Sequence, residues 1–362
     1  MHFIYEKFKG SIKNIIDKIQ NDEKFRLDKL LELLAAFLNF CVHTYPDKIE
    51  YVDQILNLST TLCQKVEMTA YNEKELECMV NILSYPLETM SIVVLNLTNY
   101  PNLMGLLPFE RRKTVSIKII EAVLNTRTYL LTENIAKRFV SFIEPLLTLQ
   151  ADAVKMKAKV LEKEQTLVAR LLHYVQSHDP NITIKMLKMF EEKFAQGPIE
   201  WKKYTIPSLM TCYCRFGRRA IQVNRTIAAE EDVEALLLDS YDYRDSAVYL
   251  TEEEKDNLSF KVAKVEVDFA ELFENMFIHI EELSLDFPAQ SIRLYLELAA
   301  LVTEVDKDEK VHDEFQYDIC SEALELYQDE ISDSKEKVFI FSFSLDPYFF
   351  RNSICSTSSD RS

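Results

Sequence analysis

Glycine is scarce in this chain, with four in 362 residues. Phosphate-cradling loops, nucleophile elbows and tight hairpin turns all need residues that tolerate positive φ. Their absence disfavours most familiar enzyme architectures. Long apolar runs are also lacking: no segment approaches the ~20 apolar residues that span a bilayer. The start, Met1 to Lys13, mixes charges among its apolar residues and has no uninterrupted secretory core. Positive charge is in deficit, with 42 basic against 59 acidic residues and a net charge of -17. A nucleic-acid backbone or an anionic leaflet would be repelled, so no nucleic-acid partner is expected and any membrane contact should be indirect. Cysteine is present but not in a disulfide pattern. Cys41, Cys63, Cys78, Cys212, Cys214, Cys320 and Cys355 are odd in number and scattered, which fits reduced core thiols in a cytoplasmic protein.

What is there is helix-forming material. Apolar residues make up 48% and charged residues 28%, enough to bury a core and too much for a disordered chain. Leu27, Leu30, Leu31, Leu34, Leu38 and Cys41 lie on one helical face that ends at Tyr45-Pro46. Ile49, Val52, Leu56 and Cys63 continue as its antiparallel partner. A second pair is expected from stripes stopping at Tyr85-Pro86 and at Tyr100-Pro101. Further helices should cover Arg111 to Leu124 and the run opened by Thr132. Asp179-Pro180 has the chemistry of a helix start, and Gly197-Pro198 that of a stop. Later stripes run from Val265 to Leu283, from Ile292 to Val302, and through Phe315, Ile319, Ala323 and Leu326. The fold class implied is all-α, a HEAT-like α-solenoid of antiparallel helix pairs. Residues 1–148 would form its first part, 149–165 a charged linker or helical extension, and 166–337 its second part. An acidic insertion occupies 221–258: from Glu230 to Glu254 ten acids face the single base Arg244, the pattern of a solvated surface loop. Asp333 to Glu336 has the spacing of a capping box, yet an alternating aromatic run from Val338 follows it, so 338–362 reads as a disordered tail.

Chemistry is hard to find. No His-Glu-x-x-His occurs, His173 and His178 diverge around a helix, and Cys212 and Cys214 should point to different sides. No catalytic residue, cofactor or metal ligand is assigned. Glu110-Arg111-Arg112-Lys113 reads as a solvated helix start. Trp201, the one tryptophan, stands with Tyr204 between Pro198 and Pro207, where aromatic side chains at a corner pack or anchor an interface.

Several segments are similar to the large, helical-solenoid subunit of retromer, the vacuolar protein sorting subunit 35 family. Cys41 to Asp53 resembles that family's tyrosine-proline-aspartate junction, and Phe109 to Lys113 the motif before its next helix. Leu167 to Pro180 resembles its arginine-leucine-histidine helix and Asp-Pro turn. Glu322 to Lys337 is the strongest of these similarities. The resemblance runs from Leu31 to Lys337 and breaks where the family continues its helix, as a translated intron, a frameshift or an incomplete gene model would make it do. It implies a non-catalytic scaffold for retrograde transport from endosome to Golgi or cell surface, held at endosomal membranes through partners. The helices from Leu167 onward would bind the small phosphoesterase-like subunit, with Trp201, Tyr204, Pro207, Arg293 and Tyr295 as exposed contributors. The arrestin-like subunit is not expected to bind, since its motif region has no counterpart here. The alternative is a generic helical-repeat adaptor of nuclear-transport or phosphatase-regulatory type.

Overall fold

A computed structural model describes residues 2–18, 26–65, 71–148, 158–229, 264–306 and 311–329, with Ser246, Ala247, Leu250 and Lys255. Most of the acidic insertion, the 149–157 part of the linker, the capping box at 333–336, the tail and Cys355 lie outside the described residues. Those residues form thirteen α-helices and one 3-10 helix, with no β-sheet. The fold is all-α. The chain divides into two compact units between Lys155 and Met156. The expected insertion begins too early, since residues 221–228 continue the helix Ile199–Ala228 of the second unit, while Ser246, Ala247, Leu250 and Lys255 group with the first unit.

The first unit holds α1 (His2–Lys18), α2 (Leu27–Thr44), α3 (Ile49–Lys65), α4 (Glu73–Met90), α5 (Tyr100–Gly105), α6 (Phe109–Thr126) and α7 (Glu133–Leu147). Helix α2 turns at Tyr45-Pro46 and packs on α3 as the stripes require, and α2 with α4, α4 with α6 and α6 with α7 continue the stack. Leu31, Leu34, Leu38, Val42, Ile55, Leu56, Leu83 and Ile119 are fully enclosed between them. Helix α1 closes one side, its Tyr5 ring stacked 3.7 Å from Tyr51 and its hydroxyl donating to Gln54 Oε1 at 2.9 Å.

Prolines behave differently from the sequence expectation. Pro86 does not stop its helix but lies inside α4, which ends at Met90 and passes into the 3-10 helix Ser91–Asn96. Only one backbone donor is lost there, and Leu83, Leu87 and Met90 are buried on both sides of it, so burial carries the helix through. Tyr100-Pro101 likewise starts α5 instead of ending a helix. The start of α4 carries a reciprocal capping box: Asn72 Oδ1 accepts from Glu75 N at 3.0 Å, and Asn72 N donates to Glu75 Oε2 at 2.8 Å. Together, Glu73–Asn96 is long and apolar enough to cross a membrane, contrary to expectation, yet 72% of its apolar window is buried inside the protein. It is the core of the first unit. Lys113 also departs from its expected solvated place, being 8% exposed, while Arg111 pairs with Glu73.

The second unit holds α8 (Ala158–Leu172), α9 (Pro180–Ala195), α10 (Ile199–Ala228), α11 (Phe269–Ser284), α12 (Pro288–Val305) and α13 (Asp313–Asp329). Helix α8 takes up the last residues of the expected linker and buries Glu164 and Gln165. Asp179 caps α9 by accepting from Asn181 N at 2.8 Å, with Pro180 in the first turn. Helix α9 ends before Gly197, but no glycine adopts positive φ; among the described residues those that do are Ser91 and Arg127. Helix α10 is thirty residues long, continues through Pro207, and packs against α8, α9, α11 and α12. Helix α13 packs on α12.

Two features hold α10. At Gly217 an added Cβ would meet Leu301 Cδ1 at 3.0 Å and Cδ2 at 3.1 Å, so glycine lets α12 approach closely. Glu191 of α9 accepts from Tyr213 Oη of α10 at 2.6 Å and pairs with His279 Nε2 of α11 at 2.7 Å. Burial alone would raise the Glu191 pKa. The hydrogen bonds from His279 and Tyr213, with the charges of His279 and Lys188, outweigh it and hold the carboxyl below its usual range.

Two outcomes follow for stability. Gly217→Val is expected to cost about 1–3 kcal/mol through overpacking against Leu301, read as a lower urea midpoint at unchanged slope. A carboxylate with a lowered folded pKa contributes stability above its unfolded pKa, near 4.3, that is lost as pH falls through the folded value. Glu191→Gln should therefore lower stability at pH 7 by about 1–3 kcal/mol and reduce the loss of stability seen on acidification below pH 5, measured by urea titrations at each pH.

Candidate interaction surface

The corner where α10 begins lies beside the turn from α11 to α12. Pro198 is the cap of α10, and Trp201 is half-buried in its first turn, so close that an added Cβ on Gly197 would lie 3.5 Å from its ring. Tyr204 and Pro207 are also half-buried, one and two turns on. Pro207 cannot donate to the carbonyl of Lys203, and its own carbonyl accepts from Thr211 Oγ1 at 3.0 Å. The ammonium of exposed Lys203 lies 5.8 Å from the Tyr204 ring centroid and 5.2 Å from that of Phe287, within range of a cation-π contact. Lys202 Nζ pairs with Glu282 Oε2 of α11 at 2.8 Å.

The most exposed large apolar side chain of the corner is Leu285, 86% accessible in the turn after α11. Ile278, 44% accessible, stands seven residues earlier, and Glu282 lies between them on the same helical face. Aromatic rings, an apolar projection and a charged border together make the composition of an interface anchor. Of the residues at this corner, the sequence reading named Trp201, Tyr204 and Pro207 as expected contributors and did not name Lys203, Ile278, Leu285 and Phe287. The available signal was phase: Ile278 and Leu285 are apolar yet fall off the inward stripe of Leu272, Met276, Ile280 and Leu283.

The other two expected contributors lie on α12. Arg293 is half-buried. Tyr295 is not exposed at all: it is 1% accessible, its ring 5.4 Å from Phe277, which in turn lies 5.8 Å from Phe315. Burial, with Glu322 and Glu281 nearby, raises its hydroxyl pKa well above the usual tyrosine value. A phenol enclosed among α11, α12 and α13 is a packing residue of the core, which corrects the exposure expected for it.

Reactive groups elsewhere in the unit are quiet. Cys212 Sγ faces α8, 3.5 Å from Leu172 O and 3.7 Å from His173 Nδ1, while Cys214 Sγ faces Glu297 O of α12 at 4.0 Å. The two thiols diverge, as their spacing requires. Burial pushes Cys212 up to about 11 and Cys214 to about 12, leaving negligible thiolate at neutral pH. The cleft lined by Cys212, Arg215, Arg219, Val175 and Thr183 has room for a single water, about 10 Å³. Among the described residues no group of three or more His, Cys, Asp or Glu side chains could hold a metal ion.

Comparison with known proteins bears on what this surface belongs to. The sequence model of the family described as vacuolar protein sorting-associated protein 35 matches residues 2–345, a span wider at both ends than the resemblance from Leu31 to Lys337. The chain is 25% identical over 346 residues to vacuolar protein sorting-associated protein 35A of Arabidopsis thaliana, covering 93% of this chain and 39% of that protein. It is 24% identical over 335 residues to the 35B protein of the same plant, covering 91% and 37%. Over 221 residues it is 25% identical to vacuolar protein sorting-associated protein 35 of Dictyostelium discoideum, covering 59% and 28%. It thus spans about two fifths or less of the length of these relatives. Because the match takes in the helices of both units from α1 to α13, the chain belongs to the vacuolar protein sorting-associated protein 35 family.

Proposed function

We propose that this chain is a scaffold segment of the retromer endosomal coat. It supports retrograde transport of membrane cargo from endosome to Golgi or cell surface by binding the small phosphoesterase-like subunit, and reaches the cytoplasmic side of endosomal membranes through its partners. The observation that carries this reading is the family match across residues 2–345. The chemistry of the described residues agrees with work done by binding: the buried Cys212 and Cys214 thiols are held protonated, and Leu285 and Ile278 stand exposed on the second unit.

Within that reading, the corner of Trp201, Tyr204, Lys203, Phe287 and Leu285 is the contact for the small subunit. A leucine standing 86% exposed among half-buried rings is suited to entering an apolar pocket, and the Lys202–Glu282 pair would form part of its polar rim. Pro207 contributes by leaving the Lys203 carbonyl without its helical donor, and Arg293 offers a guanidinium from α12.

The test is co-expression of the whole chain with the small subunit, followed by size exclusion and calorimetry. A stable complex is expected. Leu285→Asp combined with Tyr204→Ala should weaken it by about 30-fold, the scale of a loss of ~2 kcal/mol at an interface anchor, with the helical signal unchanged. A folded chain that fails to bind removes the retromer reading. Binding that the double variant leaves untouched removes the corner.

A further inference from the structure

The returning end of the connection between α10 and α11 is held by two asparagine side chains. Near the end of α10, Asn224 Nδ2 donates to Val265 O at 3.2 Å and its Oδ1 accepts from Val265 N at 2.9 Å. At the start of α9, Asn181 Nδ2 donates to Lys264 O at 3.3 Å and its Oδ1 accepts from Glu266 N at 3.1 Å. The returning chain is therefore gripped as if by a neighbouring strand, and Val265 is 4% exposed.

Within the connection, Ser246 and Leu250 are 2% and 5% exposed, although the surrounding sequence is strongly acidic. Both group with the first unit. Ser246 Oγ accepts from the backbone N–H of Tyr129, 117 positions away, at 2.8 Å. Tyr129 belongs to the short connection from α6 to α7, where Thr128, Leu130 and Leu131 are 1%, 0% and 0% exposed. Leu250 N donates to Ala247 O at 3.2 Å, closing the turn that leads from one anchor to the other. A solvated acidic loop would bury neither side chain. A backbone donor in a buried connection requires an acceptor, and the Ser246 hydroxyl supplies one to Tyr129.

We infer that Ser246 and Leu250 form an intramolecular clasp that docks this segment on the α6–α7 connection. The hydroxyl is a polar peg satisfying Tyr129, and the leucine is an apolar plug removed from water. Ser246 and Leu250 thus act as an internal ligand of the first unit.

Hydrogen exchange of the whole chain tests this, with the peptide covering residues 127–131 as the reporter and a peptide from α9 as the folding control. The native chain should protect 127–131. Ser246→Ala and Leu250→Asp should each speed exchange there by at least about fivefold, as expected when a local opening replaces a satisfied contact, while the α9 peptide keeps its rate. Rapid exchange of 127–131 in the native chain, or equal rates in the native chain and the alanine variant, overturns the clasp. If Leu250→Asp also speeds the α9 peptide, the alanine variant, which removes a single oxygen, decides alone.

Discussion

The second unit depends on one helix running unbroken. Four of its neighbours pack on α10, and a helix of thirty residues extends for about 45 Å, so a kink would misplace α8, α9, α11 and α12 together. Helix α10 continues through Pro207, with Ile206, Leu209 and Met210 buried on either side of it. Further along, Cys212 and Cys214 face opposite neighbours, Tyr213 is tied into the polar contact with Glu191, and Gly217 gives up its side chain so that Leu301 can lie against the backbone. Each residue type along this stretch answers to a different packing partner.

The scarcity of glycine takes on a physical meaning in this setting. Glycine is not spent on left-handed turns, since Arg127 at φ 52° and Ser91 at φ 48° occupy those positions. Ser91 Oγ lies 3.0 Å from Thr126 Oγ1, which lies 2.6 Å from Thr128 Oγ1, so a hydroxyl cluster steadies the strained serine. The cost of such a conformation, on the order of 1–3 kcal/mol, is offset by the buried surroundings. Gly217 is kept for a close approach between helices.

Helical phase made most elements legible: α2, α3, α6, α7, α9 and the last three helices lie where stripes and caps place them. Punctuation was less reliable. Pro86 lies inside α4 because tertiary burial outweighs the single donor that a proline withholds, and Tyr100-Pro101 opens α5. Tyr295 could not be told from an exposed aromatic, since its neighbours Phe277 and Phe315 come from two other helices. In the candidate surface, Trp201 and Tyr204 were readable from composition beside prolines, whereas Leu285 and Phe287 became partners of Lys203 only when the α11–α12 turn came beside α10. The contact of Ser246 with Tyr129 had no signal in sequence, because nothing in a local pattern reports a hydrogen bond across 117 positions.

The paired grip of Asn181 and Asn224 on Lys264, Val265 and Glu266 has an evolutionary consequence. It fixes where the chain returns to the helical stack without reference to how far it has travelled. Doubling the length of a connection adds only about 0.6 kcal/mol of closure entropy, so residues added on either side of Ser246 and Leu250 would leave the packing of α9, α10 and α11 as it is. Length in this connection is therefore a cheap variable, whereas the packing along α10 is not.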